Sequence, residues 1–208
     1  MAILFVTGSD TGVGKTHVAG LLARRLSRDG FTQVIKPVES GAGAGRAADA
    51  PKAAGKWAEA HTLMTLAAPI APLAAAKKAG KKLVLATLLK LYREVPHAPC
   101  RIIEGAGGVA VPIDPKGKDW ADFAAAINPT VAIVVVEDRL GAINQARMAI
   151  AYLSRHYEGP MGVWLNAIKK PSAAVAAANR AGLAESWIPL LGESGRGAKS
   201  VRFHFLPK

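Results

Sequence analysis

The sequence predicts an α/β fold: a doubly wound, mainly parallel sheet with helices on both faces. Three observations carry that expectation. Strand-like and helix-like segments alternate along most of the chain. Several strand segments are continuous apolar runs, the pattern of strands covered on both faces. The glycine-bearing turns follow the strands, where such sheets gather their ligands. A length of 208 residues suits one core, and neither an internal repeat nor a linker interrupts it, so a single domain over residues 1–208 is expected.

Residues 3–7 are apolar and β-rich and run into a glycine-bearing turn, after which Val18, Leu21, Leu22 and Leu26 recur at helical spacing. Gly30 closes that helix, and residues 31–35 form a second short strand, giving a βαβ unit. Residues 41–54 are rich in Gly and Ala without a period, which predicts a loop leading to a helix near residues 56–66. Pro69 and Pro72 break the next stretch. Leu83, Leu85, Leu88, Leu89 and Leu91 then mark an amphipathic helix over residues 82–94. Strands follow at residues 101–104, 131–136, 162–168 and 187–191, separated by helices at 119–127, 142–157 and 172–184.

Half the residues are apolar and a fifth charged, which excludes a disordered or collagen-like chain. Twenty-seven Lys and Arg against fifteen Asp and Glu leave a formal charge of +12, favouring an anionic partner without specifying which. The basic residues are dispersed, with Lys77-Lys78 and Lys81-Lys82 as the densest pairs, and only 6% of residues are aromatic. That pattern suits a solvated surface better than a nucleic-acid-binding one. A lone cysteine, Cys100, excludes an internal disulfide or a Cys-rich metal site and fits a reducing cytoplasm. The apolar first residues carry no basic leader or cleavage site, and the run at 130–136 is far below the ~20 residues of a membrane helix. Neither nucleic acid nor membrane is expected as a partner.

The strongest motif is Gly14-Lys15-Thr16, between the first strand and the first helix. Successive backbone N–H groups there can cradle phosphates at the helix N-terminus, the Lys15 ammonium neutralises their charge, and the Thr16 hydroxyl ligates magnesium. These features predict a P-loop NTPase. The usual spacing puts a glycine six residues before the lysine, where this chain has Ser9; the glycine stands one place earlier, at Gly8. Asp10 stands where partition-type ATPases carry an extra loop lysine.

The lengthened loop over residues 8–16 resembles that of the dethiobiotin synthetases. The resemblance continues in order through Lys36-Pro37-Val38-Glu39-Ser40-Gly41, Glu104-Gly105-Ala106-Gly107-Gly108, Leu140-Gly141-Ala142-Ile143-Asn144, Trp164-Leu165-Asn166 and Pro189-Leu190-Leu191-Gly192. It implies an enzyme that uses ATP and Mg2+ to join carbon dioxide or bicarbonate to 7,8-diaminopelargonate. A carbamate forms on one amine, ATP phosphorylates it, and the neighbouring amine expels phosphate to close a cyclic urea.

The resemblance also implies residue roles. Gly12, Val13, Gly14, Lys15, Thr16 and His17 hold the nucleotide, Asn166 reads the adenine, and Thr16, Asp49 and Glu104 hold the metal beside ATP. Lys36, Lys15 and Thr11 stabilise the carbamate and the transferring phosphoryl group. Ser40 and Gly107 face the diamine, whose distant carboxylate meets Gly141, Ala142, Ile143 and Asn144 from a neighbouring subunit, implying a homodimer with shared active sites. Two departures stand out. Glu39 occupies a position expected to be small or neutral and reads as a side chain pointing outward, and Glu193-Ser194-Gly195-Arg196 replaces the apolar residue and proline expected near the base. The alternatives are a partition-type ATPase acting on DNA or membrane surfaces, and a related amidoligase or small-molecule kinase.

Overall fold

The computed structural model describes residues 1–42, 48–198 and 202–203. In chain order the elements are β1 (Ala2–Gly8), α1 (Lys15–Leu26), β2 (Thr32–Lys36), β3 (Glu39–Ser40), α2 (Asp49–Ala54), β4 (Glu59–Thr62), β5 (Thr65–Leu66), α3 (Pro72–Lys78) and α4 (Leu85–Glu94). They continue as β6 (Cys100–Glu104), α5 (Trp120–Ile127), β7 (Val131–Glu137), α6 (Ala142–Leu153), β8 (Met161–Ala167), α7 (Ala173–Glu185), β9 (Leu190–Gly195) and β10 (Arg202–Phe203). The main sheet has the order β10-β9-β8-β7-β1-β6-β2-β4. All its pairings are parallel except β9 with β10, and β3 and β5 form a separate small parallel pair. The α/β expectation holds.

Both faces of the sheet are buried, which is why its strands read as continuous apolar runs. On β1, Phe5 faces one core with Ile35, Ile103, Trp120 and Phe123, while Leu4 and Val6 face the other with Val18, Leu22, Ile133 and Trp164. Such burial of large side chains stabilises by about 1.5–3 kcal/mol each relative to exposure. The register matters most for function. Ile35 on β2 lies beside Ile103 on β6, so Lys36 and Glu104, one residue further, end adjacent strands at the same level as the turn after β1.

The chain between β2 and α4 departs from expectation. Instead of a helix near residues 56–66 there are two short strands, and α2 forms within the stretch expected to be a loop, part of which lies outside the described residues. Glu59, Ala60, His61 and Thr62 pair in register with the outer edge of β2, a non-local contact that their polar sequence does not announce. Pro72 opens α3 at its first turn instead of breaking the chain, a position where its missing N–H costs nothing. The last long strand begins at Leu190, because Trp187 sits at φ 55° in an exposed turn. Among the described residues no helix is long and apolar enough to cross a membrane.

Candidate active site

The turn after β1 wraps back over its own strand. A Cβ on Gly8 would lie 2.9 Å from Val13 Cγ2, and one on Gly14 would lie 2.1 Å from Asn166 Nδ2. Gly14 also adopts φ +98°, the left-handed region, so both space and backbone require glycine there. Behind this turn, Asn166 at the end of β8 donates from Nδ2 to Val13 O at 2.9 Å and accepts from Ser194 Oγ at 2.8 Å. Asn166 is buried and buttresses the loop from below. The loop after β6 closes from another side: Val109 N donates to Gly8 O at 2.9 Å, and Trp120 Nε1 donates to Ala106 O at 2.6 Å.

Four side chains converge at the strand ends. Lys36, only 3% exposed, places Nζ 2.6 Å from Glu104 Oε1 and 3.0 Å from Asp49 Oδ2. Thr16 Oγ1 donates to the same Glu104 Oε1 at 2.8 Å. Burial opposes the charge on Lys36, but Glu104 and Asp49 together outweigh it and hold its pKa above the usual lysine value. Lys15 is treated differently. Burial, helped by the positive charge of Lys36, pulls its pKa down to about 8 against the pull of Glu104, Asp10 and Asp49. Its ammonium donates to Asp10 O at 2.8 Å, inside its own loop.

The second oxygen of Glu104, Oε2, is buried without a hydrogen-bond partner. A buried anionic oxygen left unpaired is costly, and a cation beside it removes the cost. Thr16, Asp49 and Glu104 supply one hydroxyl and two carboxylates, hard oxygen ligands of the kind magnesium takes together with phosphate and water. One hydroxyl and two carboxylates leave coordination places for phosphate oxygens and water, so the donor set fits an ion shared with a phosphate ligand.

A cavity of about 930 Å³ opens over this cluster. Thr11, Gly12, Gly14, Lys15, Thr16, His17, Lys36, Ser40, Asp49, Glu104 and Gly107 all line it, most of the residues singled out from the sequence. Val13 is buried beneath the loop, and Asn166 lies behind it. The segment at the start of α6 faces elsewhere. Gly141, Ile143 and Asn144 line a second groove with exposed Leu140 and Met148, while Ala142 is buried. That turn is nonetheless a neighbour of the phosphate-type loop, since the Ser9 hydroxyl donates to Gln145 Oε1 at 3.5 Å.

Glu39 corrects the sequence reading. It does not point outward: it is 7% exposed, and its Oε1 accepts the Asp49 backbone N–H at 2.8 Å. Sequence reasoning also missed the far arm of the cavity, where Arg24 lies 5.2 Å from the ring centre of Trp57, with Lys52 nearby on the lining. No motif marks those residues; only the packing of α2 against α1 brings them to the cavity.

Residues 3–193 match the family described as AAA domain. The chain is 40% identical over 171 residues to the ATP-dependent dethiobiotin synthetase BioD of Anaeromyxobacter dehalogenans, covering 78% of this chain and 75% of that protein. It is 35% identical over 191 residues to the protein of the same name from Mycobacterium bovis, covering 88% and 83%. Among solved structures, a MinC:MinD cell division protein complex from Aquifex aeolicus superposes with a TM-score of 0.58 at 14% identity, covering 96% of this chain and 83% of that one. A putative plasmid partition protein from Borrelia burgdorferi bound to AMPPNP gives 0.55 at 12%, covering 93% and 85%. At those identities the structural likeness is one of fold.

Proposed function

The chain belongs to the ATP-dependent dethiobiotin synthetases, and from that premise we propose how its cavity divides the work of the reaction. The protein is an enzyme that forms dethiobiotin at the expense of ATP. The observation that carries the assignment of roles is the meeting of Lys36, Glu104, Asp49 and Thr16 beside Lys15 at the ends of adjacent parallel strands.

In our reading the substrates are 7,8-diaminopelargonate and carbon dioxide. Backbone N–H groups of residues 12–17 hold the nucleotide phosphates, with Lys15 neutralising their charge. Thr16, Asp49 and Glu104 would hold Mg2+, which supplies charge neutralisation on the phosphates. Lys36 stays protonated through the neutral range and presents its ammonium to the carbamate and to the oxygens that gain charge as the phosphoryl group moves. Thr11 and Gly107 line the same space, and Ser40 is placed to hydrogen-bond the carbamate or the diamine. The Ser40 hydroxyl is buried without a protein partner, which fits a group held ready for a ligand. Asn166 keeps a role at the base through its second Nδ2–H and the Oδ1 lone pair that Ser194 leaves unused.

The Gly141, Ala142, Ile143 and Asn144 turn meets the substrate carboxylate of a second subunit, making the enzyme a homodimer with shared sites. Its separation from the cavity and the exposure of Leu140 and Met148 beside it support that reading. The whole of residues 1–208 acts as one domain, in the cytoplasm. A role on DNA or membranes gains no support, since the partition-type likeness extends only to fold.

The test is phosphate release from ATP with magnesium, bicarbonate and 7,8-diaminopelargonate each omitted in turn. Release that needs all of them, with the cyclic urea formed in equal amount, is expected. Release indifferent to the diamine and bicarbonate would leave an ATPase without the ligase.

A further inference from the structure

We propose that Glu39 is a positioning residue for this reaction: through the Asp49 backbone amide, its carboxylate sets the place of the Asp49 side chain beside Lys36. The proposal rests on the reading above in which Asp49 is a ligand of Mg2+.

Glu39 is itself held from both ends. Its backbone N–H donates to Met64 O at 2.9 Å, fixing β3 against the chain leading into β5, and its Oε1 accepts from Asp49 N at 2.8 Å. Asp49 is the first residue of α2, and Ala48 before it makes no side-chain cap bond. The neighbours Ala48, Ala50 and Pro51 have no polar side chains, so Glu39 supplies the side-chain anchor of this turn. Three residues before Glu39 stands Lys36: β2 ends on that lysine and, after Pro37 and Val38, β3 begins on Glu39. One short segment therefore places the ammonium and the group that holds the ammonium's partner, Asp49 Oδ2, at 3.0 Å.

A purely stabilising role accounts for this poorly. Glu39 is 7% exposed, its Oε2 is buried without a hydrogen-bond partner, and it adds a third carboxylate to Asp49 and Glu104. Gathering carboxylates in a poorly solvated place costs folding free energy. Glu39 does not line the cavity, so its effect on the reaction passes through Asp49.

The experiment is ADP binding by the intact protein, by calorimetry, titrated with Mg2+ and repeated in EDTA. Glu39→Ala should raise the Mg2+ concentration needed for half-maximal enhancement of ADP binding by about tenfold, as expected for losing one hydrogen bond to a charged group. Binding in EDTA should change less than twofold. Glu39→Gln, whose Oε1 can accept the same N–H, should recover most of the loss. An unchanged Mg2+ requirement in Glu39→Ala, an equal loss in EDTA, or a Glu39→Gln variant as impaired as the alanine would each overturn the proposal. Asp49→Asn separates this from the underlying reading: if it leaves the Mg2+ requirement unchanged, the metal assignment fails and the proposal with it. If Asp49→Asn raises that requirement while Glu39→Ala does not, the positioning role alone fails.

Discussion

Lys36 and Lys15 stand within one electrostatic cluster and are shifted in opposite directions, because their partners differ. Burial disfavours the charge on both; two carboxylates in contact with Lys36 outweigh it there, whereas at Lys15 the repulsion of Lys36 adds to it and no carboxylate among the described residues is in contact. Replacing Lys36 by Ala should lower kcat by the equivalent of about 3 kcal/mol, the scale of one preorganised donor to a developing anion, with the KM for ATP little changed. Steady-state kinetics decide this, and a change confined to KM would remove Lys36 from the chemical step. The same variant leaves Glu104 and Asp49 without their cation, so a lower melting temperature is expected as well. For Lys15 the linkage runs the other way. Its folded pKa of about 8 lies below the unfolded 10.5, so between those values the unfolded chain binds more protons and stability rises with pH. Subtracting the pH–stability profile of Lys15→Met from that of the parent should leave a difference that climbs from about pH 8 to about 10.5. A flat difference would mean that Lys15 is not buried in the ligand-free protein.

At the scale of elements, the phosphate-binding loop is the unit most determined by backbone geometry. Gly14→Ala puts a methyl group 2.1 Å from Asn166 Nδ2 at a backbone angle that only glycine adopts freely. The Asn166 amide must move and release Val13 O, so ADP affinity should fall by at least tenfold, measured in the same calorimetric titration. The first turn of α6 is the other element to which the proposed function gives a role. Asn144→Ala should raise the KM for the diamine while leaving ATP binding alone; a weakened ATP affinity would show that this turn serves the nucleotide instead. The phosphate-binding loop and the start of α6 were legible in the sequence because their signals are local: glycine spacing and the Lys-Thr pair in one, a glycine opening a helical segment in the other. The stretch from β3 to α3 was not. β4 is polar and exists by pairing with the edge of β2, and α2 is a six-residue helix packed on α1, neither carrying a periodicity long enough to read.

At the scale of the molecule, the placement of the α6 turn in a groove apart from the main cavity makes the shared-site dimer testable. Mixing Lys36→Ala and Asn144→Ala subunits, at a diamine concentration far below the raised KM of the Asn144→Ala variant, should restore about a quarter of the parent activity, since half the random dimers then carry one intact site. No recovery on mixing would mean that each chain completes its own site. By itself the sequence determined the α/β sheet, the phosphate-binding loop and the polar and charged groups that meet at the strand ends, Thr16, Lys36, Asp49 and Glu104. Those follow from apolar runs, glycine positions and residue types that act within a few positions along the chain. Only the tertiary structure decided which oxygens Lys36 holds, that Glu39 turns inward to Asp49, and that Arg24 and Trp57 flank the cavity. The Lys36 and Glu104 contact spans 68 positions and depends on the register of two parallel strands, a relation between distant segments that no local pattern encodes.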